Sequence, residues 1–96
     1  MTKADLVADI SEKTGIEKIA VQATIESFMK SIIDTMENGE NVYLRGFGTF
    51  VVKKRAEKTG RNISQNTAVI IPAHNIPAFK PSKTFVKSVK QNVPVS

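Results

Sequence analysis

Lys53-Lys54-Arg55-Ala56-Glu57-Lys58-Thr59-Gly60-Arg61-Asn62 holds a single apolar side chain, Ala56, and has almost nothing to bury. Apolar β-character returns at Ala68-Val69-Ile70-Ile71, directly before Pro72. Two readings fit this stretch: a structureless loop, or a two-stranded ribbon that leaves the body of the protein and comes back. As a ribbon, Arg55 to Ile63 at about 3.3 Å per residue would reach roughly 26 Å. That is twice the ~13 Å radius of gyration of a compact domain of this size, so a ribbon must project. An isolated two-stranded ribbon is marginal in water.

Upstream, Val42-Tyr43-Leu44 leads into Gly46-Phe47-Gly48 and on through Thr49-Phe50-Val51-Val52, which predicts two strands about a glycine-flexed turn. The Gly-x-Gly lacks the third glycine, the Lys-Thr/Ser pair and the following helix of a phosphate cradle. Before the strands come two helices. Thr2 is placed to cap the first, with Asp5 near the positive end of its dipole, Leu6, Val7 and Ile10 as its stripe, and Gly15 as its stop. In the second, Val21, Ile25, Phe28, Met29, Ile32, Ile33 and Met36 recur at helical spacing up to Asn38-Gly39. Such a stripe reads as core or oligomer interface. After Phe79-Lys80-Pro81, Ser82 can cap a short third helix with Phe85, Val86 and Val89 inside and Lys83, Lys87 and Lys90 outside. The expected layout is one domain over 1–96. Residues 1–45 form the helical base and first strand, 46–76 the sheet and ribbon, 77–91 the C-terminal helix region and 92–96 a frayed tail.

The 96 residues carry 14 Lys+Arg against 9 Asp+Glu, a net charge of +5. The balance is uneven along the chain. Residues 1–45 hold five bases against eight acids, a net −3, whereas residues 46–96 hold nine bases against Glu57 alone, a net +8. A cationic half on a globular base points to a polyanion, either nucleic acid or an acidic membrane. Membrane binding would need a basic helix with bulky apolar residues opposite, and the 53–61 cluster has none. With no Cys and one His, His74, disulfides, thiolate sites and His-based metal clusters are excluded. The expectation is a soluble, intracellular protein without metal or cofactor. No base–nucleophile pair or phosphate loop suggests an enzyme. The aromatics Phe47, Phe50, Phe79 and Phe85 each sit in an apolar pattern and read as core, and His74 as a hydrogen-bonded surface or loop residue.

Size adds one more expectation. Outside ribbon and tail, about 70 residues must bury two amphipathic helices and a small sheet, and such a core rarely supplies more than about 3–5 kcal/mol. Pairing two copies through the Val21–Met36 helix and the Phe47/Phe50 sheet remedies this, and would set two ribbons about a two-fold axis.

Taken together, Gly46-Phe47-Gly48-Thr49-Phe50, Arg55-Ala56-Glu57-Lys58-Thr59-Gly60-Arg61-Asn62, Ile71-Pro72-Ala73 and Pro77-Ala78-Phe79-Lys80-Pro81 resemble the signature of the HU / integration host factor family of bacterial histone-like proteins. The likeness covers residues 1–91. It implies an α+β fold: an intertwined dimer with a helical base, a β-saddle and two extended β-ribbon arms that embrace double-stranded DNA through the minor groove. By that resemblance the arm residues are Lys53, Arg55, Lys58, Arg61 and Asn62. Flanking DNA is held by Lys3, Lys18, Lys80, Lys83 and Lys87, and the dimer core comprises Ile25, Phe28, Met29, Ile32, Phe47, Phe50 and Phe79. The family usually carries a proline after Arg-Asn at the arm tip, followed by x-Thr-Gly. This chain has Ile63 at the wedge position and Asn66 in place of the glycine. Isoleucine is among the apolar wedges that minor-groove binders insert, but its φ is not fixed, so it is less preorganised than proline.

The function implied is a weakly specific DNA bender and compactor, cytoplasmic and nucleoid-associated, favouring kinked, nicked or gapped duplexes. A homodimer is expected, with a heterodimer with a paralogue as the alternative. The alternatives are a basic ribbon that docks on an acidic protein, and a site-specific bender of the integration-host-factor type. RNA shares the phosphate term and stays open as a partner.

Overall fold

The computed structural model of the chain describes residues 1–62 and 67–95, Asn62 by its backbone alone. The element order is α1 (Lys3–Thr14), α2 (Lys18–Glu37), β1 (Val42–Leu44), β2 (Gly48–Arg55), β3 (Lys58–Asn62), β4 (Thr67–Ile71), β5 (His74–Pro81) and α3 (Lys83–Asn92).

Local sequence accounts for most boundaries. The Thr2 hydroxyl accepts from the Asp5 N–H at 3.3 Å, and the Asp5 carboxylate accepts from the Thr2 N–H at 2.9 Å, a reciprocal capping box. Gly15 ends α1 in the left-handed region, φ 75°. Gly46, φ 82°, turns β1 into β2. Asn41 Oδ1 accepts from the Val52 N–H at 2.9 Å, satisfying the edge of β2 where β1 is too short to reach.

The strands form a sheet of order β1-β2-β5 and a separate ribbon β3-β4, all antiparallel. One register links the two. The offset that pairs Gly48 with Pro81 and Arg55 with His74 also pairs Lys58 with Ile71 and Asn62 with Thr67. Among the described residues the hairpin therefore contains no bulge, and its ladder is interrupted only at 56–57 and 72–73, where Pro72 has no N–H to donate. β5 crosses residue 76, where the sequence pattern suggested a division between sheet and C-terminal region. Pro77 and Pro81 are tolerated because β5 is an edge strand.

A single register with alternating faces sorts the side chains. Val42, Gly48, Phe50, Val52, Pro77 and Phe79 share the face toward α2, where the Phe50 and Phe79 rings lie 4.8 Å apart and Phe47 bridges Phe79 and Phe85 at 5.1 and 5.4 Å. Gly48 is buried because the Phe79 ring lies against it: a Cβ there would sit 2.5 Å from Phe79 Cζ. Tyr43, Thr49, Val51, Lys53, Arg55 and Lys80 share the other face.

This chain alone does not close a core. Among the described residues only Val7 and Val21 are buried hydrophobics, at 5% and 4% exposure. Phe28, Met29, Ile33 and Phe47 stay 41–54% exposed, and a largely apolar groove of about 550 Å³ opens between α2 and the β2–β5 sheet. Val86 and Val89, expected inside, are about half exposed. Their α3 packs chiefly through Phe85. The radius of gyration is 18.8 Å and the long axis 57 Å, well beyond the ~13 Å of a compact chain this size.

Candidate nucleic-acid interface

The sheet-and-ribbon hairpin collects the bases. Lys53, Lys54 and Arg55 end β2, Lys58 and Arg61 lie on β3, and all five are exposed. β4 carries no charge, so one strand of the ribbon is cationic and the other apolar. Strand parity divides the expected arm set. Lys53 and Arg55 share the outer face of the sheet with Lys80, whereas Lys54 lies on the opposite face. Within the ribbon Arg61 shares its face with Thr59, Ala68 and Ile70, and Lys58 shares the other with Gly60, Val69 and Ile71. The arm bases thus occupy both faces rather than one. The expected wedge Ile63 and the expected turn residue Asn66 lie outside the described residues, as does the side chain of Asn62.

The flank set separates as well. Lys80, Lys83, Arg45 and Tyr43 border an open hollow of about 590 Å³ beside the β1–β2 turn. Its floor is fixed by Ser82, whose N–H donates to the Phe47 carbonyl at 2.9 Å and whose hydroxyl donates to the Gly46 carbonyl at 3.0 Å. The same hydroxyl accepts from the Phe85 N–H at 3.1 Å and so caps α3. The N-terminus of α3, its dipole positive end, therefore faces the same side as Lys80 and Lys83. Lys87 and Lys18 are exposed elsewhere and form no ion pair with a described residue. Lys3 differs: its ammonium donates to Glu26 Oε1 at 2.9 Å, pinning α1 to α2. That bond, then one from Gln22, holds the Glu26 carboxyl below its ordinary range.

Arg45 and Tyr43 carry no signal in the sequence that marks them for this site. Arg45 stands alone beside a glycine turn, and only the pairing of β1, β2 and β5 brings it to Lys80. Tyr43 is 75% exposed because it falls on the outer face opposite Thr49. His74 is exposed, and its Nδ1 donates to the Pro72 carbonyl at 2.9 Å. Among the described residues no cluster of His, Cys, Asp or Glu could hold a metal ion, and no helix is long and apolar enough to cross a membrane.

The match to the bacterial DNA-binding protein family spans residues 1–90. The DNA-binding protein HU of Buchnera aphidicola is 40% identical over 91 residues, covering 95% of this chain and 99% of that protein. The chain belongs to the HU family of bacterial DNA-binding proteins. HU 2 of Bacillus phage SPbeta is 39% identical, with 94% of this chain and 98% of that protein covered. Among solved structures, a cocrystal of Anabaena HU with DNA superposes with a TM-score of 0.90 at 34% identity, over 94% of this chain and 98% of that one. The HU likeness thus covers helical base, saddle and ribbon together, in agreement with the α+β fold read from the sequence.

Proposed function

We propose that this HU-family chain is a dimeric architectural protein that binds double-stranded DNA and bends and compacts it through the minor groove. The observation that carries this reading is the single-register hairpin. It places Lys53 and Arg55 on the saddle beside Lys80, then extends Lys58 and Arg61 outward on a strand that bears no acid. Minor-groove contacts carry little sequence information, because A·T and T·A present the same acceptors there. Affinity comes mainly from neutralised phosphates and falls steeply with salt.

Bending a site of about 20–30 base pairs costs on the order of 1–6 kcal/mol, with a few kcal/mol more per unstacked step. Contacts from bent DNA to Lys80, Lys83, Lys87, Lys18 and Lys3 offset it. Lys3 already donates to Glu26, whose negative charge offsets its own, so it contributes least of the five. Duplexes that are already kinked, nicked or gapped avoid part of the bending cost and bind more tightly.

A second copy of the chain covers Phe28, Met29, Ile32, Ile25 and the Phe47–Phe50–Phe79 cluster. Half-exposed aromatics, and only two buried hydrophobics among the described residues, cannot otherwise sustain the fold. Working on chromosomal DNA, the protein acts in the cytoplasm as part of the nucleoid.

A gel-shift titration of intact and nicked duplexes of one sequence at two salt concentrations tests this. Tighter binding to the nicked duplex and a steep salt dependence are expected. Equal affinities would overturn the preference for kinked DNA, and binding to neither duplex would favour docking on an acidic protein instead.

A further inference from the structure

We propose that the β4 edge is a self-association surface, at which β4 of one dimer pairs antiparallel with β4 of another. The proposal rests on the strand geometry and not on the DNA reading.

An open strand edge is a template for another strand, and proteins blunt such edges with charges, proline or brevity. Each other edge strand among the described residues carries such a device. β1 is three residues long, β3 bears Lys58 and Arg61, and β5 bears Lys80, Pro77 and Pro81. β4, Thr67-Ala68-Val69-Ile70-Ile71, has no charge and no proline, and among the described residues its second side pairs with nothing. Val69, Ile70 and Ile71 are 45%, 65% and 42% exposed, and the strand is rich in β-formers.

The charge distribution selects a second copy as the occupant. Antiparallel pairing centred on Val69 sets Val69 against Val69 of the partner subunit, Ala68 against Ile70 and Thr67 against Ile71, with no charged side chain in any pair. The cationic β3 strands fall on the two outer sides, about 14 Å apart at the usual strand spacing, so their repulsion is weak. The marginal two-stranded ribbon becomes the half of a wider sheet, which can be stable by itself. Each contact is two-fold symmetric, but a dimer carries two ribbons, so contacts can propagate from dimer to dimer.

The full chain lacks cysteine, so single introduced thiols report the register cleanly. Paired Val69 positions would be about 4.5–5.5 Å apart, within disulfide reach, whereas Thr59 on β3 would not be. Val69→Cys is expected to cross-link under mild oxidation far faster than Thr59→Cys. Sedimentation of the unmodified chain is expected to show species at twice the dimer mass and above as concentration rises. Val69→Lys sets like charges opposite one another and returns the mass to that of the dimer. A mass fixed at that of the dimer at every concentration, or equal cross-linking of the two cysteine variants, overturns the proposal. Should Val69→Lys fail to fold, the cysteine pair decides alone.

Discussion

The Ser82 hydroxyl donates to the Gly46 carbonyl at 3.0 Å, across 36 positions of sequence, while accepting from the first turn of α3. One side chain thereby locks the C-terminal helix to the β1–β2 turn. Ser82→Ala removes both bonds. Loss of a cap of this kind costs about 1 kcal/mol, and the missing bond to the turn adds to it. The expected outcome is a lower thermal midpoint with the helical content otherwise retained, measured by circular dichroism.

Gly48→Ala should be more damaging. The added methyl would meet Phe79 Cζ at 2.5 Å and the Lys80 carbonyl at 2.6 Å, and a ladder carbonyl has little room to retreat. Overpacking of this sort costs about 1–3 kcal/mol. Denaturant unfolding should show a lower midpoint, and an unchanged midpoint would mean that the Phe79 ring can swing clear.

Arg61→Ala tests the cationic strand. It should weaken DNA binding to a similar extent on unrelated sequences. The slope of log affinity against log salt should fall by about one for each phosphate that an arm no longer neutralises. Weakening confined to one sequence would indicate base readout instead.

Ile63→Ala tests the apolar wedge that the family resemblance implies. Truncation removes the group that would prise base pairs apart but leaves every cation in place. The bend angle, read by fluorescence energy transfer between duplex ends, should fall more than the affinity does. A parallel fall in both would assign Ile63 a packing role.

Acid should loosen the helical base. Bonds from the Thr2 N–H and then its hydroxyl hold the Asp5 carboxyl below its ordinary range, and Lys3 with Gln22 does the same for Glu26. Carboxyls lowered in the folded state stabilise it above their unfolded pKa, and that stabilisation disappears as pH falls through the folded value. Thermal midpoints should therefore hold through neutral pH and decline in the acid range. Asp5→Asn with Glu26→Gln should flatten that decline.

The elements themselves were legible because their signals are local. A capping threonine, a glycine in the left-handed region, a 3.6-residue stripe and a Gly-x-Gly turn each act within one or two turns of backbone, and all appear where the sequence puts them. That residues 53–62 lie outside any core was equally legible, since only Ala56 has anything to bury. That they form a strand of a ribbon and not a loop came from the family resemblance and is seen in the β3–β4 pairing. Val86 and Val89 misled for a related reason: periodicity reveals an apolar face but not whether the same chain covers it.

By its sequence alone the protein is a helical base with a basic hairpin, too small for a self-sufficient core, bearing the HU signature. Tertiary structure decided what depends on distant partners. It set the shared register of β2–β5 and β3–β4, which divides the bases of each between two faces, the Lys3–Glu26 pair at an expected DNA contact, and the hollow joining Arg45 to Lys80 and Lys83. Helix and turn preferences come from neighbours a few residues away. Which strand faces which, and at what offset, is fixed only when the Phe47–Phe50–Phe79 cluster packs and the whole hairpin closes on one register.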